Sequence, residues 1–186
     1  MRNLVFSVAT LTALALCACG ASSKEVAMAK TARYQGDKLA MFADAKAAVE
    51  SKYKVLKSDE TTLGLQTEPR WFTPEGLAGN DSGDVSMLPD KSINFAMVVQ
   101  MFPDGDAYIA KVTPVMSRYN KGIPKPEQIK EGDASLPGWV EDKTNSLALD
   151  VHKALAKYEL KTVPGQAPPP SPAAAPAPEG SAAPAP

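Results

Sequence analysis

The chain has 186 residues with 20 basic and 21 acidic side chains, so its formal net charge is −1. This charge balance argues against a nucleic-acid-binding protein, which would carry a basic patch or a high isoelectric point. The composition is uneven along the chain, because both cysteines fall in the first 19 residues and eight of the 17 prolines fall in the last 22. The two ends therefore differ in kind from the middle.

The N-terminus has the features of an export signal. Arg2 supplies a positive charge, Leu4 to Leu16 form an uncharged run of 13 residues, and small residues follow. The run is shorter than the roughly 20 apolar residues that a membrane-spanning helix needs. A buried core helix is the alternative interpretation, but the position and flanks of the run favour a signal peptide over residues 1–18.

The signal ends in the sequence Leu16-Cys17-Ala18-Cys19. This motif resembles the bacterial lipobox, in which an aliphatic residue at −3 and a small residue at −1 precede the modified cysteine. The resemblance implies cleavage after Ala18, a diacylglycerol on the Cys19 sulfur and acylation of the new amine. Cys17 is the rival acceptor, although it would place bulky Leu16 at −1, and soluble secretion is the third possibility. Two or more acyl chains anchor a protein stably in a bilayer.

The lipobox also predicts a location and partners. Gly20 stands where an aspartate would resemble the inner-membrane retention signal of enteric bacteria, so the resemblance implies the outer membrane, facing the periplasm. Cleavage would leave Cys19 as the only cysteine, and the mature domain could then form no internal disulfide. The predicted partners are the membrane, through the lipid anchor, and an unidentified envelope protein.

Segments without a strong apolar pattern flank the central part of the chain. Residues 19–36 are small and polar and are predicted to be the lipidated cysteine and a flexible tether, with a short, uncapped helix around Lys24 to Ala32 as the alternative. Residues 164–186 consist largely of proline and alanine, and this composition cannot bury enough apolar surface to offset chain entropy. A disordered, polyproline-II-like spacer is the prediction for this tail, with a ligand for a proline-recognising partner as the alternative.

The remaining residues, 37–163, are predicted to form one domain that begins and ends with a helix. Asp37 can cap a first helix, and Pro137-Gly138-Trp139 leads into a second. Apolar residues recur at spacings of three and four in both segments, which predicts one buried stripe on each helix. The stripes are Leu39, Phe42, Ala45, Val49 and Tyr53 in the first helix, and Val140, Thr144, Leu147, Val151, Leu155 and Tyr158 in the second.

Between the helices the apolar residues alternate, which predicts strands. Ser92 to Phe102 is the strongest strand, and Pro103-Asp104-Gly105-Asp106 predicts a turn into a partner strand from Ala107 to about Arg118. An earlier strand runs through Pro69, which indicates a sheet edge or a bulge. Its alternation places Leu63, Leu65, Thr67 and Trp71 on one face. The predicted fold class is α+β, with an antiparallel sheet of three or four strands packed against the two helices.

One part of this domain resembles a known family. Lys52-Tyr53-Lys54-Val55, then Asp59, then Leu63-Gly64-Leu65-Gln66-Thr67 leading to Trp71, is similar to the opening of the helix-grip domains of the BamC (NlpB) outer-membrane lipoproteins. The resemblance implies an accessory binding domain at the outer membrane, and it carries over no catalytic residue.

Motifs for catalysis or metal binding are weak in this sequence. His152 is the only histidine, and no acidic residue stands four positions before or after it, so we predict a position at the helix boundary. The segment Asn80-Asp81-Ser82-Gly83-Asp84 has calcium-loop spacing but lacks the later bidentate acid, which favours a solvated turn. We therefore predict no catalytic residue, no metal and no cofactor.

Large aromatic residues next to polar loops are the candidates for a binding surface. Arg70, Trp71, Phe72 and Trp139 are predicted to contact a partner, and closure of the core is the alternative role for these aromatics. The leading functional hypothesis is a membrane-anchored envelope lipoprotein that acts as a non-catalytic binding, assembly or scaffold module. One alternative is a small-ligand or lipid carrier with an apolar cleft lined by Phe95, Met97 and Met101. The other is an envelope hydrolase that uses two carboxylates converging in a groove.

Overall fold

The structure, a computed structural model, describes residues 22–79 and 87–160. These residues form an α+β fold with three α-helices and a seven-stranded antiparallel sheet. In chain order the elements are α1 (Ser23–Thr31), β1 (Arg33–Tyr34), α2 (Lys38–Glu50), β2 (Val55–Asp59), β3 (Gly64–Thr67), β4 (Arg70–Phe72), β5 (Ile93–Asp104), β6 (Ala107–Arg118), β7 (Glu127–Ile129), α3 (Gly138–Leu155) and a final 3₁₀ turn (Ala156–Tyr158).

The long hairpin of β5 and β6 is the centre of the sheet. Its two strands pair over their full 12 residues, from Ile93 opposite Arg118 to Asp104 opposite Ala107. Gly105 sits in the turn with φ of 66°, a conformation that favours glycine. The hairpin and its turn residues, predicted from the sequence, are confirmed.

Short strands flank this hairpin on both sides, in the order β1-β6-β5-β3-β2. β4 also pairs with β5, and β7 also pairs with β6, which brings the count to seven where three or four were predicted. β1, β4 and β7 have only two or three residues each, too few to show alternation in the sequence. Pro114 of β6 lies opposite Met97 of β5, whose N–H donates to the Thr67 hydroxyl and not to β6. On its other side Pro114 lies between the segments paired with β1 and β7, where no described strand requires an N–H from β6.

The predicted strand through Pro69 is divided into two. β3 ends at Thr67 and β4 begins at Arg70, and both pair with β5. The interruption shifts the alternation by one residue, so that Phe72, and not Trp71, shares the buried face with Leu65 and Thr67. The prediction for Trp71 was wrong for this reason.

Helices α2 and α3 cover one face of the sheet. The Asp37 side chain accepts a hydrogen bond of 2.8 Å from the Ala40 N–H and caps α2. The predicted stripe of α3 is confirmed from Val140 to Leu155, whereas Leu39 of α2 is 47% exposed and Met41 is buried. The core brings together Met41, Phe42, Ala45 and Val49 of α2, Val140, Leu147, Val151 and Leu155 of α3, and Ile93, Phe95, Met97, Val99 and Met101 of β5.

Helix α1 and strand β1 occupy part of the segment assigned to the tether. Ser22 and Glu25 form a capping box at the start of α1, and Ala29 is its one buried residue. β1 then pairs with β6, and Tyr34 is fully buried. A helix with a single buried alanine has no apolar stripe and hence no amphipathic pattern, and the expectation that it would be uncapped was wrong. The domain therefore includes residues that precede Asp37.

Candidate functional site

Strand β4 positions three of the four predicted binding residues. It pairs with the start of β5, so that Trp71 lies opposite Asn94 and Phe72 opposite Ile93. Because successive side chains of a strand point to opposite faces, Trp71 and Phe72 project to different sides of the sheet. Arg70 is exposed at the first position of the strand. The predicted cluster is thus divided between two faces.

Phe72 belongs to an aromatic cluster with Trp139. Their ring centroids lie 5.1 Å apart, and Phe95 lies 6.0 Å from Phe72 and 5.7 Å from Trp139. The indole Nε1–H of Trp139 donates a hydrogen bond of 3.0 Å to the Pro74 carbonyl. The Lys143 ammonium lies 5.0 Å from the centre of the Phe72 ring, within cation–π range. These contacts close the core at the start of β5.

The loop after β4 also packs on Trp139. Gly76 has φ of 86°, and a Cβ atom at this position would lie 2.7 Å from Cγ of the indole. Only glycine fits a backbone that is both left-handed and this close to a ring. The loop and the indole therefore fix each other, and Trp139 supports the core beneath Phe72.

Trp71 lies on the other face of the sheet and is half-buried. Its ring meets Tyr119 edge-to-face, with centroids 6.5 Å apart at an interplanar angle of 83°. Part of the indole remains accessible there. Among the predicted binding residues, Trp71 and Arg70 are the two that lie away from the core.

The face that carries Trp71 continues along the central hairpin, and we call it the uncovered face. Val115 is 44% exposed and Phe102 is 38% exposed, while Ala96 is buried among its neighbours. A shallow open groove of 620 Å³, lined by residues of β2, β3 and β5, extends this face past Gln66. Its other half-buried or exposed members are Asn94, Val98 and Gln100 of β5 and Ile109, Lys111, Thr113 and Ser117 of β6.

No residue of the central hairpin on the uncovered face was predicted to bind a partner, because the outward positions of an alternating strand are expected to be solvated. A signal was nevertheless present in the sequence. Val98, Thr113 and Val115 are β-branched residues at outward positions, where charged side chains are more usual on a solvated face. Among the outward positions of the central hairpin, only Lys111 and, next to the turn, Asp104 carry a charge.

A separate cavity of 270 Å³ lies between α1, α3 and the segment before α3. Lys30 and the carboxylates of Glu131, Asp133 and Glu141 line it, together with Asn145. Hydrogen bonds from the Ser135 hydroxyl and N–H hold the pKa of Asp133 below its usual range. The cavity is lined by apolar side chains as well as by charged groups of both signs, and its acidic side chains come from α3 and the segment that precedes it.

His152 is half-buried, and its Nδ1 lies 2.9 Å from the hydroxyl of Tyr34. The two rings contact each other with centroids 6.2 Å apart. Burial, followed by the negative charge of Glu159, raises the pKa of Tyr34. The pair joins β1 to α3, and no local pattern predicts it because 118 positions separate the two residues.

The residues assigned to a carrier cleft pack inside the protein. Phe95, Met97 and Met101 are 3%, 0% and 2% exposed, and they belong to the hydrophobic core. The groove and the cavity described above are lined by other residues.

Several predicted features lie outside the described residues: the signal peptide with Leu16, Cys17, Ala18 and Cys19, the segment 80–84 and the tail 164–186. Within residues 22–79 and 87–160, no group of three or more histidine, cysteine, aspartate or glutamate side chains is arranged to hold a metal ion. In the same ranges no helix combines the length and apolar character needed to cross a bilayer.

A scan against protein-family models found no match to this chain, and a search of curated proteins found no significant similarity.

Proposed function

We propose that this protein is a lipid-anchored envelope protein whose domain acts as a non-catalytic binding or assembly module. The anchor is the lipobox cysteine Cys19, and the location is the periplasmic face of the outer membrane. The observation that carries the proposal is the asymmetry of the sheet. Helices cover one face, whereas the other presents half-buried apolar side chains that end at Trp71.

The size of the uncovered face supports a protein partner. β5 and β6 each have 12 residues, and strands of this length extend about 40 Å. The seven strands together have 41 residues, and at about 3.3 Å per residue and 4.8 Å between strands they give roughly 650 Å² of surface. A standard protein interface buries about 800 Å² on each partner. The face is therefore large enough for one stable contact.

The shape and chemistry of the face favour the same partner. Small ligands bind in concave sites that enclose most of their surface, and the groove beside β3 is shallow and open. Val98, Val115 and Phe102 alternate with Gln100 and Thr113, a mixture of apolar and hydrogen-bonding groups typical of protein interfaces.

The four predicted binding residues have two different roles in this proposal. Trp71 supplies an aromatic anchor at one end of the face, whereas Arg70 is exposed at the edge of the opposite face, where it pairs with Phe95. Phe72 and Trp139 contribute indirectly, because they pack in the core and hold β4 in position. We also infer that the helices and sheet form a helix-grip arrangement, which is consistent with the resemblance to BamC-like lipoproteins.

Photo-crosslinking in the native envelope tests the proposal. A photoreactive amino acid at Val115 lies on the uncovered face, and the same group at Ser146 lies on the exposed side of α3. We expect a discrete adduct from Val115 and none of the same mass from Ser146. The protein identified in the adduct is then purified, and its affinity is measured directly.

Charge substitutions provide the decisive comparison. Val115→Glu should weaken binding of that purified partner at least tenfold, about 1.4 kcal/mol. Ser146→Glu should leave the affinity unchanged, and circular dichroism should show both variants folded. Equal affinities for the two variants would exclude the uncovered face as the binding surface.

A further inference from the structure

The β5–β6 hairpin gives the domain two ends about 40 Å apart. At the hairpin end, the turn between Asp104 and Ala107 lies near Leu63, whose carbonyl accepts a hydrogen bond from the Met101 N–H. At the opposite end, called the loop end, β5 begins at Ile93 and pairs with Phe72 of β4. The uncovered face runs between these two ends, and Trp71 lies at the loop end.

Helix α3 runs from the loop end to the hairpin end. Its first turn lies at the loop end, because Trp139 contacts Phe72. Its C-terminus lies near the hairpin end, because Glu159 forms a β-bridge with Tyr34, which pairs with Tyr108 of β6. Tyr108 is one residue from the hairpin turn.

Helix α1 packs against α3 in the opposite direction. Lys30, near the end of α1, lines the same cavity as Glu141 in the first turn of α3. At the other end of α1, hydrogen bonds from Ser22 lower the pKa of Glu25, and the charge of Lys153 lowers it further. Lys153 lies in the last turn of α3. Ser22 therefore lies toward the hairpin end.

The chain between the anchor and this point is short. Only two residues separate Cys19 from Ser22, and three residue steps span at most about 11 Å. We propose that the hairpin end of the domain faces the lipid surface and that the loop end, with Trp71, faces away from it. This inference rests on the proposed function, because it requires the lipid on Cys19.

The charges at the hairpin end determine how the domain meets the bilayer. The hairpin end carries four acidic side chains, in or beside the turn between β2 and β3 and the turn between β5 and β6: Asp59, Glu60, Asp104 and Asp106. Carboxylates are costly to place in hydrocarbon. The domain therefore rests at the headgroups and does not insert. Trp71 is then held some 40 Å from the lipid, where it can meet a partner in the aqueous compartment.

Energy transfer between the domain and the membrane tests this orientation. The full lipidated protein is reconstituted into vesicles of phosphatidylethanolamine and phosphatidylglycerol that carry a headgroup-linked acceptor dye. A donor dye is attached either at Glu60→Cys, at the hairpin end, or at Leu77→Cys, at the loop end, where Leu77 is 69% exposed. We expect transfer from position 60 to be at least about twofold more efficient, given the 40 Å separation.

A longer tether is the matched control. Twenty glycine and serine residues inserted after Gly20 would add a flexible span of about 25 Å, and the difference between positions 60 and 77 should then shrink. Equal or reversed efficiencies with the native tether would overturn the orientation. The mass of the mature N-terminus is measured on the same sample. If the efficiencies are equal or reversed and Cys19 is lipidated, the orientation fails and the proposed anchor stands. An unmodified Cys19 would overturn both the orientation and the lipid-anchored function.

Discussion

The hydroxyl of Tyr34 lies 2.9 Å from Nδ1 of His152, and this contact joins the short strand β1 to the longest helix of the domain. Tyr34 is fully buried, and among the described residues His152 is the hydrogen-bond partner of its hydroxyl. A buried polar group without a partner costs more free energy than the hydrogen bond itself contributes. The pair therefore helps to fix the N-terminal segment on the domain.

Tyr34→Phe should lower the free energy of unfolding by about 1 kcal/mol, the usual net contribution of one hydrogen bond. His152→Ala should cost more, because it leaves the buried Tyr34 hydroxyl unpaired and also removes a ring contact. Urea unfolding followed by circular dichroism measures both values. A larger loss for Tyr34→Phe than for His152→Ala would contradict this explanation.

The same tyrosine predicts a pH dependence. Burial, and then the charge of Glu159, raises the pKa of Tyr34 above its ordinary value of 10.0. The folded state thus holds the proton more tightly than the unfolded chain does. The free energy of unfolding that the protonated Tyr34 contributes is fully present below pH 10, and it is lost as the pH rises through the pKa of Tyr34 in the folded state. Burial also raises the pKa of Tyr53. Tyr34→Phe should therefore remove only part of the decline in the urea midpoint at alkaline pH. An unchanged decline in this variant would exclude Tyr34 as a cause.

Gly76→Ala should destabilise the domain by about 2–3 kcal/mol, because it adds both backbone strain and a clash with Trp139. Gly122→Ala is the matched control. Gly122 has φ of 90°, and a Cβ there would meet no atom within 4 Å, so only the strain of about 1 kcal/mol remains. The difference between the two urea midpoints measures the contact of the loop with the indole. Equal urea midpoints for the two variants would show that the loop moves away from Trp139 with no loss of stability.

Met97→Ala should cost about 2–5 kcal/mol, since Met97 is fully buried at the centre of β5 and its loss leaves a cavity. Met28→Ala on α1 is the control, because Met28 is 47% exposed and its replacement should change stability by less than about 0.5 kcal/mol. Thermal unfolding of both variants tests the expectation. A loss below about 1 kcal/mol for Met97→Ala would indicate that the core around β5 collapses to fill the space.

Ser22→Ala should loosen α1 locally by about 1 kcal/mol, because the N-terminal N–H groups of the helix lose their cap. Hydrogen exchange of the α1 amides should become faster, while exchange in β5 and α3 stays the same. Ser23→Ala, one residue inside the helix, serves as the control and should leave exchange in α1 nearly unchanged. Uniform acceleration across the domain would mean that α1 does not open separately.

The sequence predicted those elements whose signals are local and periodic. The stripe of α3 and the alternation of β5 repeat over many residues, and the turn at Asp104 and Gly105 has its own residue preferences. β1 has two residues and α1 has one buried alanine, so their positions depend on contacts with distant parts of the chain.

The candidate site was predicted less well for a related reason. The split between Trp71 and Phe72 depends on a shift in register at Pro69, and alternation alone does not reveal such a shift. Phe72 and Trp139 lie in the core, in the alternative role that was predicted for these aromatic residues. Their division between the core and the uncovered face required the pairing of β4 with β5.

The bonds around β1 have a consequence for the order in which the protein forms. Arg33 accepts a hydrogen bond from the N–H of Leu160, and Gln35 donates one to the carbonyl of Tyr158. Synthesis proceeds from the N-terminus, so these partners become available only after more than 120 further residues have emerged. The segment that carries β1 is therefore made first and fixed last, because the bonds that hold it to the residues after α3 form only once the rest of the domain has been made.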